Sequence, residues 1–417
     1  MSASLQEEVK VQPQASLTLE DLIAPATLDD FFNHTWERSL LILRRNAPTY
    51  YNSLMTLADF DRCLHAAIDS PSKILKVVAP LGSDEKPQVT TASGIPRNRL
   101  YESYLSGHTL QIIDAEKYWP PIDLLLASVR ESCAGLAGAN LFLTPPGTQA
   151  VAIHFDPVDA FIVQLAGAKR WHVWEPTYVQ PMAIPTSESY LGKIIKQCKE
   201  ENLTPCEEVL LKAGDMMYMP RGFYHKAVAE DELSLHLTVY IRPLYWIDLF
   251  RRALELAGIE NLDLRATLPP RFVQDPNLRA SMSRTFELLL ERIGDTVSFD
   301  AAYESLVREQ VGRSPFPADG HFSALGTLDD VHPGTRVERR KGLNCFMDTN
   351  EKESSIHFGT NVVRGPASLS GAFEFVRQNK TFRVSDLPGS LSQEGKVALV
   401  RRFIREGLLH VASEHMS

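Results

Sequence analysis

The sequence predicts an α+β protein: a jelly-roll core of antiparallel strands covered by N-terminal helices, followed by a helical subdomain and a C-terminal winged-helix-like domain. Three observations predict it. Between about residues 139 and 242, short apolar runs alternate with Gly, Pro and Asp turns; helical spacing of apolar residues flanks that stretch; and the C-terminal part orders as helix, short helix, helix and strand.

The N-terminal cover comes first. Residues 17 to 70 read as mostly helical, and "LTLEDLIAPATLDDFFNHTWERSLLIL" sets Thr18 and Thr27 ahead of acidic first turns, where a hydroxyl can cap free amides. The strands follow as "ANLFLT", "QAVAIHF", "AFIVQL", "KRWHVWE", "EEVLLKA", "DMMYMP", "HKAVAE" and "LSLHLTVYI". Seven or eight short strands of this kind favour a closed or sandwiched antiparallel architecture. The segment 177–205, with a short helix expected in "ESYLGKIIKQCKEEN", interrupts the series as an insertion. After Pro243, "YWIDLFRRALELAGI", "NLRASMSRTFELLLERIGD" and "FDAAYESLVREQV" carry apolar residues at helical spacing, leaving stripes of the kind that pack on a second copy. The turn-rich "GRSPFPADG" marks a boundary near 313. The expected domains are 1–245, 246–312 and 313–417. Arg401, Arg402 and Arg405 lie among acids and read as a solvated helix face rather than a DNA-reading one.

Composition bounds the function. The 417-residue chain has a net charge of −9, which argues against direct nucleic-acid binding and is compatible with a basic partner. The opening "MSASLQEEVKVQPQAS" lacks the apolar core of a signal peptide, and no run of about 18 apolar residues occurs, so a soluble, cytoplasmic protein without a membrane span is expected. Five scattered cysteines without a CxxC pair read as reduced, mostly structural thiols.

The chemistry is carried by "AIHFDPVDAFIVQLAGAKRWHVW". In an extended segment His154 and Asp156 share one face while Ile153 and Phe155 take the other. Further on, "GDMMYMPRGFYH" has a turn at Gly214 and Asp215, an apolar strand, and a tight entry at Pro220 and Gly222 that puts His225 at a strand start. Two histidines and one carboxylate are the donor set of a facial Fe(II) site, and also of catalytic zinc sites. Lys169 shares a face with Trp171 and Val173, opposite Arg170, His172 and Trp174, so its ammonium is expected inside the core, where it must meet an anion. The distal carboxylate of 2-oxoglutarate would be such an anion, its 2-oxo acid end taking two open positions on iron and O2 the third.

Other residues divide between bland and functional readings. His172 reads as a structural or surface histidine, and His236 as a core histidine or a substrate contact. Asp159 reads as an orienter of the ligands or a turn residue. Arg221 reads as a surface salt bridge or a partner for an acid at the site mouth, and Tyr50 and Tyr51 as packing residues.

"GANLFLTPPGTQAVAIHFDPVDAFIVQLAGAKRWHVWEP" together with "LKAGDMMYMPRGFYHKAV" resembles the two motif blocks of the JmjC-type cupin oxygenases, and most closely those of the ribosomal oxygenase group of protein hydroxylases. "DDFFNHTWERSLLILRRNAPTYY" looks like that group's helical entry. The resemblance covers nearly the whole chain and is strongest between 138 and 242. It implies a double-stranded β-helix, a helical dimerisation region giving a homodimer, and a winged-helix tail. It further implies Fe(II) held by His154, Asp156 and His225, 2-oxoglutarate held by Lys169 with Asn140 beside it, and a ribosomal protein hydroxylated at the β-carbon of an arginine or histidine. Phe142 stands where relatives often have tyrosine, and the insertion is longer than usual. Competing readings are a hydroxylase of a peptide natural-product precursor or small molecule, an N-methyl lysine demethylase, and a non-catalytic cupin scaffold.

Overall fold

The computed structural model describes residues 3–5, 16–70, 75–80, 89–91, 95–182, 205–317 and 319–412. The helix expected within the 177–205 insertion lies outside the described residues. The chain divides into two compact units, the first made of residues up to Pro243 with Pro317–Gly320, the second of Leu244–Phe316 and the residues from His321 on.

The first unit holds a ten-stranded sheet. At its centre the long strand Asp159–Trp174 pairs antiparallel with the still longer Tyr224–Pro243, which in turn pairs with Gly135–Thr144. Glu207–Lys212 and Met216–Met219 pair with opposite ends of Asp159–Trp174, so that one strand serves two sides of the core. Where short separate strands were expected, two continuous ones run, because the breaks are bends within them. Gly167 sits at such a bend with φ +63, and a Cβ there would lie 1.6 Å from the Leu233 carbonyl oxygen. Across from it the pairing register shifts between Ala229 and Ser234. Bulges of this sort bend a strand without ending it.

Alternation then sorts side chains into two clusters. Phe161, Val163, Met216 and Tyr218 pack outward against Phe31, Leu22 and Ile23 of the N-terminal cover, while Ile162, Trp171, Met217 and Met219 pack inward. The helix starts are where the threonines place them: the Thr18 and Thr56 hydroxyls each accept an amide from a residue of the first turn, and Asp21 and Asp59 cap back. Arg45 fastens this cover to the strands. Its guanidinium donates to the Leu22 carbonyl at 2.6 Å and the Tyr51 hydroxyl at 2.9 Å, while its amide donates to the Asp215 carboxylate at 2.9 Å. Tyr50 and Tyr51 are buried around it.

A second fastening corrects one expectation. Arg221 is buried rather than on the surface, and its guanidinium joins Glu37 of the cover to Asp159 at 3.1 Å. Asp159 has no exposure; it also accepts from the Tyr218 hydroxyl at 2.8 Å, so it is neither a turn residue in solvent nor in contact with the histidines. Burial pushes the Asp159 carboxyl above its usual value, partly countered by Tyr218 and Arg221.

In the second unit the helices Trp246–Glu260, Leu278–Thr296 and Phe299–Arg313 precede two three-stranded sheets. One sheet sets Arg336–Arg339 between Thr381–Arg383 and Leu409–Val411 and packs with the helices Ser370–Gln378 and Gln393–Arg405 through Phe373, Phe403 and Val337. The other, Cys345 to Pro366, is a meander that the sequence patterns did not single out. Among the described residues no helix is long and apolar enough to cross a membrane. Burial pushes the Cys63 and Cys133 thiols up to about 12, as structural thiols require.

Replacing Arg221 by Met should strand the buried Asp159 carboxylate and destabilise the first unit by about 3–5 kcal/mol at neutral pH. A carboxyl whose folded pKa lies above its unfolded value costs stability at high pH and less as pH falls, so the deficit should shrink on acidification. Urea melts of both proteins at pH 7.5 and 5.5 measure this, and an equal deficit at both pH values would refute it.

Candidate functional site

His225 is the second residue of the strand Tyr224–Pro243, just after the turn in which Gly222 adopts φ +94. Its backbone pairs reciprocally with His154: the His154 amide donates to the His225 carbonyl at 3.1 Å and the His225 amide donates back at 2.7 Å. The strand expected over "QAVAIHF" is not formed; this is one isolated bridge. The cause is a mismatch in length. Ala229 bonds to Thr148 and His225 to His154, so the five residues 149–153 face the three residues 226–228 and the surplus leaves the ladder. The alternation survives nonetheless. Ile153 and Phe155 pack with Trp174 and Tyr224, while His154 and Asp156 face the opposite way into a cavity of about 430 Å³.

There His154, Asp156 and His225 bring one ligand atom each to within 4.8 Å of one another. The Asp156 carboxylate lies 3.9 Å from His154 Nε2 and 3.7 Å from His225 Nε2. Both imidazoles are oriented by their own local backbone: His154 Nδ1 is 2.9 Å from the Ala152 carbonyl and His225 Nδ1 is 3.2 Å from that of Phe223. A carbonyl only accepts, so each Nδ1 carries the proton and each Nε2 presents its lone pair to the shared space. Burial, and then the neighbouring His154, hold His225 down at about 4, which keeps it neutral and able to ligate. The carbonyl of Asp156 accepts from the Gly222 amide at 3.0 Å, tying the first ligand segment to the turn before the second.

Lys169 enters the same cavity and is 5% exposed. Its ammonium donates to the Thr144 hydroxyl at 3.1 Å, and no carboxylate pairs with it among the described residues. Burial alone pushes it down to about 7. Asn140 also lines the cavity, and its side-chain oxygen accepts from the Asp114 amide at 3.3 Å. His236, read from the sequence as core or contact, is both buried and cavity-lining, stacked flat on Phe142. His172 lies on the opposite face, near Glu208. Sequence reasoning missed Thr144 and Thr109, whose hydroxyls are 3.3 Å apart beside Lys169; a threonine in a strand carries no signal of its own.

Two imidazoles and one carboxylate with converging donor atoms fit a divalent transition metal. A buried ammonium with donors to spare fits a carboxylate anion. The four groups share one pocket.

Residues 114–249 match the JmjC domain model. The chain is 34% identical over 341 residues to ribosomal oxygenase 1 of Gallus gallus, a match covering 78% of this chain and 53% of that one. It is 27% identical over 302 residues to the bifunctional lysine-specific demethylase and histidyl-hydroxylase NO66 of Aedes aegypti, covering 69% and 46%. The chain thus spans about half the length of the curated relatives it matches. Among solved structures, YcfD of Escherichia coli superposes with a TM-score of 0.57 at 18% identity, covering 93% of this chain and 98% of that one. YcfD with cobalt and 2-oxoglutarate gives 0.56, again at 18% identity, covering 93% and 99%. That likeness is one of fold. Taken with the motif blocks and the sequence relatives, it makes residues 114–249 a JmjC-type cupin domain within a chain that is ribosomal-oxygenase-like in sequence and fold.

Proposed function

We propose that the chain is an Fe(II)- and 2-oxoglutarate-dependent oxygenase that hydroxylates a side chain of a protein, foremost a ribosomal protein, at the β-carbon of an arginine or histidine. The observation that carries this reading is the convergence of His154, Asp156 and His225 in one cavity with the buried Lys169 ammonium. The names of the sequence relatives and the solved YcfD complex with cobalt and 2-oxoglutarate support it. A specific observation favours a second reading, lysine demethylation, since some relatives carry both activities in their name.

Bound iron, with 2-oxoglutarate and O2, supplies the oxidising chemistry that converts a C–H bond to C–OH while the co-substrate becomes succinate and CO2. The protein's part is geometric and electrostatic. His154 and His225 keep their protons on Nδ1, held by the Ala152 and Phe223 carbonyls, so that neither Nε2 needs to reorganise when a metal binds. Asp156 supplies the one negative charge of the triad. Lys169 fixes the far end of the co-substrate through charge and up to three N–H donors. Trp171 lies beside both Lys169 and His225 and gives the wall between them an apolar surface.

The reading extends to assembly. The helix Leu278–Thr296 buries none of its side chains in this chain, and Phe286 and Leu290, one turn apart, are exposed, as are Trp246 and Phe250. We infer that this apolar surface packs against a second copy, giving a homodimer.

Asp156→Ala should lower metal affinity by at least about tenfold and abolish succinate formation; unchanged turnover would end the metal assignment. Lys169→Ala should weaken 2-oxoglutarate binding while leaving metal affinity intact. Because burial holds Lys169 at about 7, the ammonium is lost as pH rises through that value, so binding of the dicarboxylate should weaken about tenfold per unit above pH 7. Calorimetry between pH 6 and 9 reads both. Mass spectrometry of ribosomal proteins incubated with the enzyme separates the two activities: hydroxylation adds one oxygen, demethylation removes a methyl group. For the dimer, light scattering should show Phe286→Glu converting a dimer to a monomer, and a monomeric wild type at micromolar concentration would refute it.

A further inference from the structure

We propose that His236 is a second donor for the anion that Lys169 holds, so that a carboxylate at the closed end of the cavity is read by an ammonium and an imidazole N–H together. The inference rests on 2-oxoglutarate being the co-substrate and adds a residue that discriminates its distal carboxylate.

The ring of His236 is 3% exposed and lines the same cavity as Lys169. It is clamped in one plane: Phe142 lies parallel at 4.8 Å with an interplanar angle of 4°, and Trp171 meets it at 85° with centroids 5.6 Å apart. The pairing register with Asp159–Trp174 shifts between Leu235 and His236, a local irregularity of the kind that re-aims a side chain. Nδ1 is fully buried without a hydrogen-bond partner among the described residues. Buried polar groups are nearly always satisfied, so a ring held this firmly with nothing to bond is set for a group that arrives. Burial, and then the Lys169 charge, hold its pKa well below the usual histidine value. The neutral ring still carries one N–H, so it donates without needing to charge.

The chemistry of the arriving group follows from its neighbours. Lys169 spends one N–H on Thr144 and has donors left. The stacked Phe142 offers no hydrogen bond. A carboxylate has two oxygens with about four acceptor sites, and it satisfies both the ammonium and the imidazole where a neutral or apolar tail would leave two buried donors empty.

The test uses the full chain loaded with manganese(II) under anaerobic conditions. Calorimetry compares 2-oxoglutarate with 2-oxopentanoate, which has the same chain length but ends in a methyl group. His236→Phe should weaken 2-oxoglutarate binding about ten- to a hundredfold and leave 2-oxopentanoate within about twofold, since a hydrogen bond to a charged group has been removed. His236→Gln, which keeps an N–H donor, should restore much of the difference. Equal weakening of both ligands, or unchanged 2-oxoglutarate affinity, overturns the role of His236 while leaving the co-substrate assignment standing. A wild type that binds both ligands equally overturns that assignment itself. A readout independent of the Phe variant's folding is the ring N–H resonance of His236 in the ¹⁵N-histidine-labelled wild type loaded with diamagnetic zinc(II) in place of manganese(II). It should shift downfield with 2-oxoglutarate and not with 2-oxopentanoate, and the same response to both overturns the inference.

Discussion

The site depends on the reciprocal backbone pairing of His154 and His225. Two short bonds clamp an irregular segment to the start of a regular strand, and everything else about the ligand geometry follows from that clamp. It sets the imidazole rings with centroids 4.3 Å apart. Beside it the Asp156 carbonyl accepts from the Gly222 amide, and the Asp156 carboxylate lies within 3.9 Å of both Nε2 atoms. Within the same bridge, the carbonyls two residues before each histidine take the Nδ1 protons. One local contact therefore fixes distance, direction and tautomer together, and it does so with main-chain groups whose positions are little affected by side-chain rotamers.

The clamp holds only because the strand beneath it is rigid. Asp159–Trp174 is paired on both sides, and its neighbours Met216–Met219 and Tyr224–Pro243 are fastened to the N-terminal cover by Arg45 at one end and by the Glu37, Arg221 and Asp159 cluster at the other. Arg221 immediately precedes Gly222, so a buried ion pair sits one peptide away from the turn that holds Asp156 and introduces His225. Burying ions is unfavourable unless they are matched, and here the match is what joins helical cover, strand and turn at one point. The same rigidity keeps Lys169 inside despite the cost of burying its charge.

Much of this was legible in the sequence because it depends on period. The two-residue alternation assigned Lys169 and Trp171 to the inside and His172 to the outside, and the capping threonines Thr18 and Thr27 fixed helix starts. What failed to show depends on long-range matching. The segment "QAVAIHF" has strand-like residues but two too many for its partner, a mismatch visible only once Thr148 and His154 are placed against Ala229 and His225. Gly167 reads as a strand break, yet the approach of the Leu233 carbonyl makes it a bend in a continuous strand. Arg221 looks like a surface residue because its two acidic partners, Glu37 and Asp159, are far away in sequence.

Burial along the cavity is uneven, and the gradient has a direction. Asp156 and His154 have side chains 49% and 33% exposed, whereas Lys169 and His236 are almost wholly enclosed. The ligand end of the cavity is therefore the open end, and the ammonium lies at the closed end. On the proposed reading, a dicarboxylate entering from solvent would pass His154, Asp156 and His225 before its leading carboxylate reached Lys169, which would leave its trailing 2-oxo acid beside the triad. The order matters energetically. The ammonium regains a counter-charge only when the ligand is fully inserted, and a shorter acid that stopped at the triad would leave that charge unmatched in a dry pocket. On that reading, discrimination by length and discrimination by charge would arise from the same buried group, Lys169.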